Sequence, residues 1–256
     1  MYKRQGNPLF NAGIGATCTV EGTFELDASI MEGKDLSAGA VAGLKHVKHP
    51  INAAYAVKTK SPHVMLSGAG AEEFAKEQGL EMVEDNMYFA TPKTMEWIEK
   101  LKQESKKNGT VGCVVLDKQG NLTAGTSTGG MFKKRWGRIG DSPVIGAGTY
   151  ADNNSCAVSC TGHGEYFIRH AVAFDVCARY KYLKESVEKA ADYIIHTELN
   201  TNAGNGGLIA VDKLGNIAMP YNSGGMFRGF LYKEKGSPEI KKGCGIGKKI
   251  VVVGEK

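Results

Sequence analysis

Two segments of this chain repeat one pattern, which consists of an apolar run, a short polar turn containing Gly-Asn, and a second run. The first pattern covers residues 111–130 and turns at Gly120-Asn121, and the second covers residues 208–225 and turns at Gly215-Asn216. A tight turn between two such runs is typical of antiparallel strand pairing. The repeat therefore predicts two β-hairpins and sheets that are largely antiparallel.

Helical periodicity lies between the two hairpins, in residues 165–182 and 184–199. In the first segment, apolar residues recur on one helical face: Phe167, Ala171, Phe174 and Ala178. Further strands are predicted at residues 23–31 and 157–161, and further helices at residues 50–58, 71–78 and 92–106. Strand pairs followed by helix pairs predict an α+β fold with helices outside packed sheets.

A single domain, residues 1–256, is the expected organisation for a chain of this length. The chain has 34 glycines and 7 prolines without a Gly-X-Y period, so the glycines are expected to serve turns and close backbone approaches. Residues 104–109 are polar, rich in lysine and end in Asn-Gly. They are the most linker-like stretch of the chain.

Charge and hydropathy exclude several classes of function. The net charge is +5, and the basic runs at residues 100–107 and 133–135 are short and are mixed with glutamate or flanked by glycine. Such runs predict solvated faces rather than a nucleic-acid-binding stripe. The sequence has no stretch of 18 apolar residues and no apolar run near residue 1, so neither a membrane span nor a signal peptide is expected.

The six cysteines form no C-x-x-C pair. Cys156, Cys160 and His163 have a zinc-like spacing, but no fourth ligand lies near them, and the two cysteines share the alternation of a strand. Reduced, partly buried thiols are the favoured interpretation. They predict a reducing, cytoplasmic compartment.

Two short motifs suggest competing chemistry. Residues 146–151 match the dinucleotide pattern G-x-G-x-x-A, but Asp152-Asn153-Asn154 follow where a helix would have to begin. Residues 125–129 match G-x-S-x-G, which would make Ser127 a nucleophile, although that motif requires a strand that turns into a helix rather than a hairpin arm. A serine hydrolase using Ser127 and a non-catalytic basic binding module both stay open as alternatives.

A third candidate, Gly109-Thr110, lies where the linker meets the first hairpin, and other motifs accompany it in order along the chain. These are residues 7–15 (NPLFNAGIG), 26–31 (LDASIM), 39–44 (GAVAGL), 108–112 (NGTVG), 126–130 (TSTGG), 137–143 (GRIGDSP), 146–152 (GAGTYAD), 161–165 (TGHGE) and 206–210 (GGLIA). Together they resemble the plant-type (type 2) asparaginases, also called isoaspartyl peptidases, of the N-terminal-nucleophile hydrolases. The resemblance runs from about residue 7 to about residue 227.

The resemblance implies a four-layer αββα sandwich, made as an inactive precursor that cuts itself between Gly109 and Thr110. Residues 1–109 would become an α subunit and residues 110–256 a β subunit. Glycine before the cut permits a strained turn at low steric cost, and the Thr110 hydroxyl would form an ester that water then hydrolyses. The freed α-amino group has a reference pKa of about 7.7 to 8.0, so it can accept the proton of the same hydroxyl during catalysis.

The resemblance also assigns the groups around the nucleophile. Thr128 would hydrogen-bond the Thr110 hydroxyl, and Thr161 Oγ together with the Gly162 amide would form the oxyanion hole. Asn11 would lie near the nucleophile.

Substrate recognition is assigned to a pair of opposite charges. Arg138 would bind the substrate α-carboxylate, and Asp141 would pair with its α-ammonium, assisted by the Gly164 carbonyl. Such a pair suits a zwitterionic aspartyl group joined through its side-chain carbonyl. The implied function is an amidohydrolase for β-aspartyl dipeptides and L-asparagine. Glycosylasparaginase activity on N4-(β-N-acetylglucosaminyl)-asparagine stays open, although Gly109 and Gly129-Gly130 favour the isoaspartyl peptidase branch.

The remaining expectations from the resemblance concern ions, assembly and the start of the chain. No cofactor is expected for catalysis, whereas the backbone carbonyls of Phe10, Ala12 and Ile14 would bind a structural sodium ion. The family forms a dimer of αβ units. Its members carry several tens of residues before the segment that matches residue 7, including one strand of the sandwich. We therefore expect this chain to lack that strand and to cleave itself poorly until a family-like segment is restored.

Overall fold

The computed structural model describes residues 5–99, 109–233, 240–245 and 251–255. Its strands are β1 (Leu26–Glu32), β2 (Ala38–Leu44), β3 (Met65–Ser67), β4 (Val111–Leu116), β5 (Leu122–Thr128), β6 (Thr149–Ala151), β7 (Cys156–Gly162), β8 (Gly206–Asp212), β9 (Ile217–Ala218), β10 (Arg228–Lys233), β11 (Ile240–Gly245) and β12 (Val251–Glu255). Its α-helices are α1 (Pro50–Lys60), α2 (Gly68–Glu77), α3 (Pro92–Glu99), α4 (Gly164–Arg169), α5 (Val172–Tyr182), α6 (Val187–Tyr193) and α7 (Leu199–Thr201). Helices and strands are thus mixed along the chain, in agreement with the predicted class.

The first sheet has the strand order β3-β2-β1-β5-β4. Its central strand β1 pairs antiparallel with β2 and β5, which places Asp27 opposite Thr128. The hairpin partners β4 and β5 place Val111 opposite Ser127. Helices α1 and α2 contact β2, and together they enclose a core that includes Phe24. The start of β4 therefore lies beside the end of β5.

The second sheet has the strand order β6-β7-β8-β9, and all of its pairs are antiparallel. Thr161 lies opposite Gly207, and Gly162 lies opposite Gly206. Helix α5 contacts β7, and α6 contacts β8 and β9. This arrangement fixes the end of β7, where two of the predicted site residues lie.

The two sheets face each other through an interface that is partly apolar and partly hydroxylic, since β4 and β5 contact β7. The apolar residues are Met31, Leu122, Ala124, Ala151, Ala157 and Val211. The Thr126 and Ser159 hydroxyl oxygens lie 2.7 Å apart, and Ser29 Oγ donates to Thr149 Oγ1 at 2.8 Å. Buried hydroxyls that find partners in this way avoid the cost of an unmet hydrogen bond and fix the relative position of the sheets.

Both predicted hairpins are confirmed. In the β4–β5 turn the Asp117 amide donates to the Asn121 carbonyl at 3.0 Å, and in the β8–β9 turn the Asp212 amide donates to the Asn216 carbonyl at 3.0 Å. Gly215 in the second turn has a φ of +89°, a conformation in which a residue with a Cβ would be strained. The Gly-Asn pairs thus mark turns because of their backbone geometry.

The prediction of one helix over residues 165–182 is wrong. The segment forms two helices, α4 and α5, separated at Ala171, whose φ is +46°. The amides of Ala173 and Phe174 donate to the carbonyls of Ala147 and Gly146, at 3.1 and 2.8 Å. These long-range bonds satisfy the first turn of α5, and Phe174, which the single helix would turn toward the sheet, is 42% exposed.

Other predictions differ only at their boundaries or lie outside the described residues. Helix α3 begins as expected, because the Thr91 hydroxyl accepts a hydrogen bond from the Thr94 amide at 3.1 Å. The rest of that predicted helix, residues 100–106, and the predicted linker up to residue 108 lie outside the described residues. A third sheet, β10-β11-β12, was not predicted from the sequence. Within the described ranges, no helix has the length and apolarity needed to cross a membrane.

Candidate active site

A pocket of about 650 Å³ lies at the start of β4 and the end of β7. It brings together residues that the sequence analysis selected from distant parts of the chain. The predicted site residues that line it are Phe10, Gly109, Thr110, Thr128, Arg138, Asp141, Thr161 and Gly162. Because one concave surface contains all of these groups, it is the candidate active site.

Thr110 lies immediately before β4, and its side chain is half-buried. Its hydroxyl donates to Thr128 Oγ1 at 3.1 Å, and its amide nitrogen lies 3.4 Å from Thr161 Oγ1. Thr128 Oγ1 also accepts a hydrogen bond from the Gly130 amide at 3.0 Å. The Thr110 hydroxyl therefore has a fixed orientation, while its backbone nitrogen faces the end of β7.

Asn11 holds the other side of the predicted cleavage position. Its backbone amide donates to the Gly109 carbonyl at 3.0 Å. Its side chain is fully used, since Nδ2 donates to the Gly130 carbonyl and Oδ1 accepts from the Thr17 amide, both at 2.8 Å. The structure thus places Asn11 next to Thr110 and fixes it between two loops.

The end of β7 has a backbone conformation that only glycine tolerates. Gly162 has a φ of +155°, and a Cβ atom there would lie 2.4 Å from the Asn205 carbonyl oxygen and 2.7 Å from the Gly206 Cα. The neighbouring side chain, Thr161, lines the pocket. A side chain at position 162 would therefore displace both strands of the sheet.

Asp141 has an unusual environment for a carboxyl group, since only 5% of the residue is exposed. Its Oδ2 has no hydrogen-bond partner among the described residues. Burial raises the pKa of this carboxyl to about 7, and the charge of Arg138 opposes that rise without cancelling it. A buried, orphaned carboxyl oxygen beside a pocket is suited to bind a cationic group.

Arg138 is held by a residue to which the sequence analysis gave no role. Its Nε donates to Glu165 Oε1 and its Nη2 donates to Glu165 Oε2, both at 2.9 Å. The guanidinium in turn lowers the pKa of the Glu165 carboxyl. A Cβ at position 164 would lie 2.9 Å from Arg138 Nη2 and from the Asp141 amide, so Gly164 allows the two charged residues to approach. The sequence signal that could have identified Glu165 is its place directly after Gly164, as the fifth residue of the TGHGE motif.

The nucleophile-elbow interpretation of Ser127 is wrong. The residue lies within β5 and is fully buried, rather than at a turn from a strand into a helix. Its hydroxyl accepts from Gln5 Nε2 at 2.7 Å and donates to the Asp27 carbonyl at 3.2 Å. Ser127 therefore faces the interior and does not line the pocket.

Comparison with known proteins identifies the family of the chain. A family model described as asparaginase (Asparaginase_2) matches residues 4–240. The isoaspartyl peptidase of Salmonella typhimurium is 50% identical over 239 residues, which cover 88% of this chain and 76% of that protein. The isoaspartyl peptidase of Escherichia coli is 45% identical over 252 residues, covering 90% and 78%. A probable isoaspartyl peptidase/L-asparaginase of Arabidopsis thaliana is 44% identical over 255 residues, covering 87% and 77%. The chain therefore belongs to the plant-type (type 2) asparaginase family.

Proposed function

We propose that this protein is an amidohydrolase that cleaves itself before Thr110 and then hydrolyses β-aspartyl dipeptides and L-asparagine with Thr110 as nucleophile. The observation that carries the proposal is the convergence of Thr110, Thr128 and Thr161 in the pocket that also contains Asp141 and Arg138. The names of the relatives support the same reaction and favour it over glycosylasparagine hydrolysis.

The contacts of the Gly109–Thr110 bond support the proposed self-cleavage. The Thr110 hydroxyl attacks the Gly109 carbonyl carbon, while the Asn11 amide stabilises the negative charge that develops on the carbonyl oxygen, 3.0 Å away. The C–N bond breaks, an ester to Thr110 Oγ forms, and the proton that the hydroxyl loses passes to the departing nitrogen. Water then hydrolyses the ester, which leaves a carboxylate on Gly109 and a free α-amino group on Thr110.

The mature enzyme uses the same residue twice. The new α-amino group accepts the proton of the Thr110 hydroxyl, and the oxygen attacks the side-chain carbonyl of the β-aspartyl substrate. Thr161 Oγ1 and the Gly162 amide stabilise the tetrahedral oxyanion, and Thr128 holds the nucleophile in place. The leaving amine departs with the proton, and water releases aspartate from the acyl-enzyme.

Recognition of the aspartyl group rests on Arg138 and Asp141. Glu165 binds the Nε and Nη2 side of the guanidinium, and we assign the Nη1 and Nη2 end to the substrate α-carboxylate. The orphaned Asp141 Oδ2, with the Gly164 carbonyl, would accept hydrogen bonds from the α-ammonium. Binding of that cation would compensate for burial of the carboxylate.

The finer architecture, the assembly and a structural ion are part of the same proposal. Helices α1 and α2 on one sheet and α5 and α6 on the other support a four-layer αββα sandwich.

We also assign a dimer of αβ units, a cytoplasmic location and one sodium ion near Phe10, Ala12 and Ile14. No backbone amide of the described residues donates to the carbonyls of Ala12 and Ile14, and carbonyl oxygens suit a hard cation. Such an ion would stabilise this loop and take no part in the reaction.

An intact-mass spectrum of the purified protein tests the proposal directly. We expect cleavage of the wild type, and of a Ser127→Ala variant that remains folded, to give residues 1–109 and 110–256 beside any chain that stays uncut, and we expect only the full-length species in Thr110→Ala. β-Aspartyl dipeptide hydrolysis should appear only in the cleaved proteins. A wild-type preparation that hydrolyses the dipeptide while its mass stays that of the uncut chain would refute the N-terminal-nucleophile mechanism.

A further inference from the structure

The pocket contains a second guanidinium group that the proposed reaction does not yet use. Besides Arg138 and Asp141, Arg228 lines the same cavity. These three are the formally charged residues among the described residues that line the pocket, apart from the titratable His163. The pocket therefore presents two fixed positive charges and one carboxyl group.

Arg228 is fixed on a different wall from Arg138. It is the first residue of β10, and its guanidinium lies over the Tyr221 ring at 4.7 Å from the ring centre. Its Nη1 donates to the Met226 carbonyl at 3.2 Å. Tyr221 forms a β-bridge with Gly207, and Gly207 lies opposite Thr161. Arg228 thus contacts Tyr221, which pairs with the β8 residue that lies opposite Thr161 of the predicted oxyanion hole.

The wall that holds Arg138 is built from other elements, the start of α4 and the loop at Gly140. Arg138 is bound by Glu165, directly after the TGHG segment, and its guanidinium lies against Gly140 and Gly164. A substrate whose aspartyl group binds Arg138 and Asp141 and whose scissile carbonyl meets Thr110 therefore directs its leaving group away from the Arg138 wall. The β8 wall, with Arg228, is the charged surface that remains.

We propose that Arg228 binds the carboxylate of the amino acid that leaves, and that this contact makes β-aspartyl dipeptides the preferred substrates over L-asparagine. The inference rests on the proposed function. A β-aspartyl dipeptide has two carboxylates and one ammonium, which complement two guanidinium groups and one carboxyl group. L-Asparagine has a single carboxylate, and its leaving group is ammonia, so it cannot use Arg228.

The contacts of Arg228 with the Tyr221 ring and the Met226 carbonyl make it suitable for this role. They hold the guanidinium plane in one orientation, so less side-chain freedom is lost when a carboxylate binds. A charge-assisted hydrogen bond of this kind typically changes an equilibrium constant by about tenfold to a hundredfold. We expect a difference of that size in kcat/KM between substrates with and without the second carboxylate.

The first experiment compares two substrates with the cleaved wild-type enzyme. β-Aspartyl-leucine and β-aspartyl-leucinamide have the same aspartyl group and the same side chain, but the amide lacks the terminal charge. We expect kcat/KM for the acid to exceed that for the amide by about tenfold or more. Equal values would overturn the proposal without any variant, so the test does not depend on the folding of a mutant.

The second experiment assigns the effect to Arg228. In Arg228→Gln the preference for the acid over the amide should fall at least about tenfold, and Arg228→Lys should retain part of it. Arg135→Gln is the matched control, because it removes one positive charge from an exposed residue outside the pocket and should keep the wild-type preference. An Arg228→Gln enzyme that keeps the full preference would overturn the assignment.

The two proposals fail in different ways. A cleaved wild-type enzyme that hydrolyses neither β-aspartyl dipeptides nor L-asparagine would contradict the proposed function itself. An enzyme that hydrolyses both dipeptides equally well would leave the proposed function intact and refute only the role of Arg228.

Discussion

Replacement of Asp141 by asparagine should stabilise this protein, although it removes a group that we assign to substrate binding. The carboxyl is 5% exposed, and its Oδ2 has no partner among the described residues. Burial raises its pKa from the ordinary value of 3.8 to about 7. The unfolded chain therefore loses this proton near pH 4, whereas the folded protein retains it until about pH 7.

The sign and the magnitude of the effect follow from that difference. The raised pKa means that the folded state binds this proton more tightly than the unfolded chain does. The contribution of the Asp141 carboxyl to the free energy of unfolding is therefore fully present below pH 4 and is lost as the pH rises toward 7. At 1.36 kcal/mol per pKa unit, the loss above pH 7 is at most about 4 kcal/mol. Asparagine has no charge to bury, so Asp141→Asn escapes this loss. In a chain of this size, 4 kcal/mol corresponds to an upper limit of about 8–16 °C in Tm.

The assay is thermal unfolding at pH 5 and pH 8, performed in a Thr110→Ala background so that every protein remains a single chain. We expect Asp141→Asn to raise Tm at pH 8 and to raise it much less at pH 5. Asp117→Asn is the control of opposite sign, because hydrogen bonds from Asn121 lower the pKa of the exposed Asp117 carboxyl and favour its charged form. That variant should lower Tm at pH 8. If Asp141→Asn changed Tm equally at both pH values, or lowered it at pH 8, the burial argument would be wrong.

Two further variants test the contacts around the nucleophile and the α-carboxylate site. Thr128→Val removes the acceptor 3.1 Å from the Thr110 hydroxyl, so kcat should fall by about tenfold with little change in KM. The control Thr123→Val, on the same strand, should leave both constants unchanged. A raised KM with normal kcat in Thr128→Val would contradict this role. Glu165→Gln weakens the fork that holds Arg138, so KM for β-aspartyl dipeptides should rise by about threefold to tenfold at constant kcat. β-Alaninamide, which lacks the α-carboxylate, should not distinguish this variant from the wild type, and an equal loss with both substrates would indicate a merely structural effect.

The parts of the fold that the sequence predicted depend on local geometry. The Gly-Asn turns and the start of helix α3 at residue 92 are set by residues within a few positions, so their patterns were sufficient. The break at Ala171 is different, because carbonyls more than twenty residues away, at Gly146 and Ala147, satisfy the start of α5. Helical periodicity does not contain that information.

The same distinction applies to the candidate site. Motif resemblance selected Thr110, Thr128 and Asp141 because each lies in a short, recognisable segment. It gave no role to Glu165 or Arg228, whose proposed roles rest on what they contact in three dimensions. A charged residue beside a motif has many possible partners, and only the folded chain selects one.

The pairing of β1 with β5 has a consequence for the molecularity of folding. These strands lie on opposite sides of the Gly109–Thr110 bond, and they pair along six residues at the centre of the first sheet. In the proposed mature form, with that bond cut, one continuous sheet belongs to two separate polypeptides, and the apolar layer between the sheets joins Met31 of the first to Leu122 and Val211 of the second. Denaturation of the mature protein then becomes dissociation, and its midpoint depends on protein concentration. Folding of the uncut chain is unimolecular, so the covalent bond would favour assembly of a sheet that the proposed mature form then keeps without it.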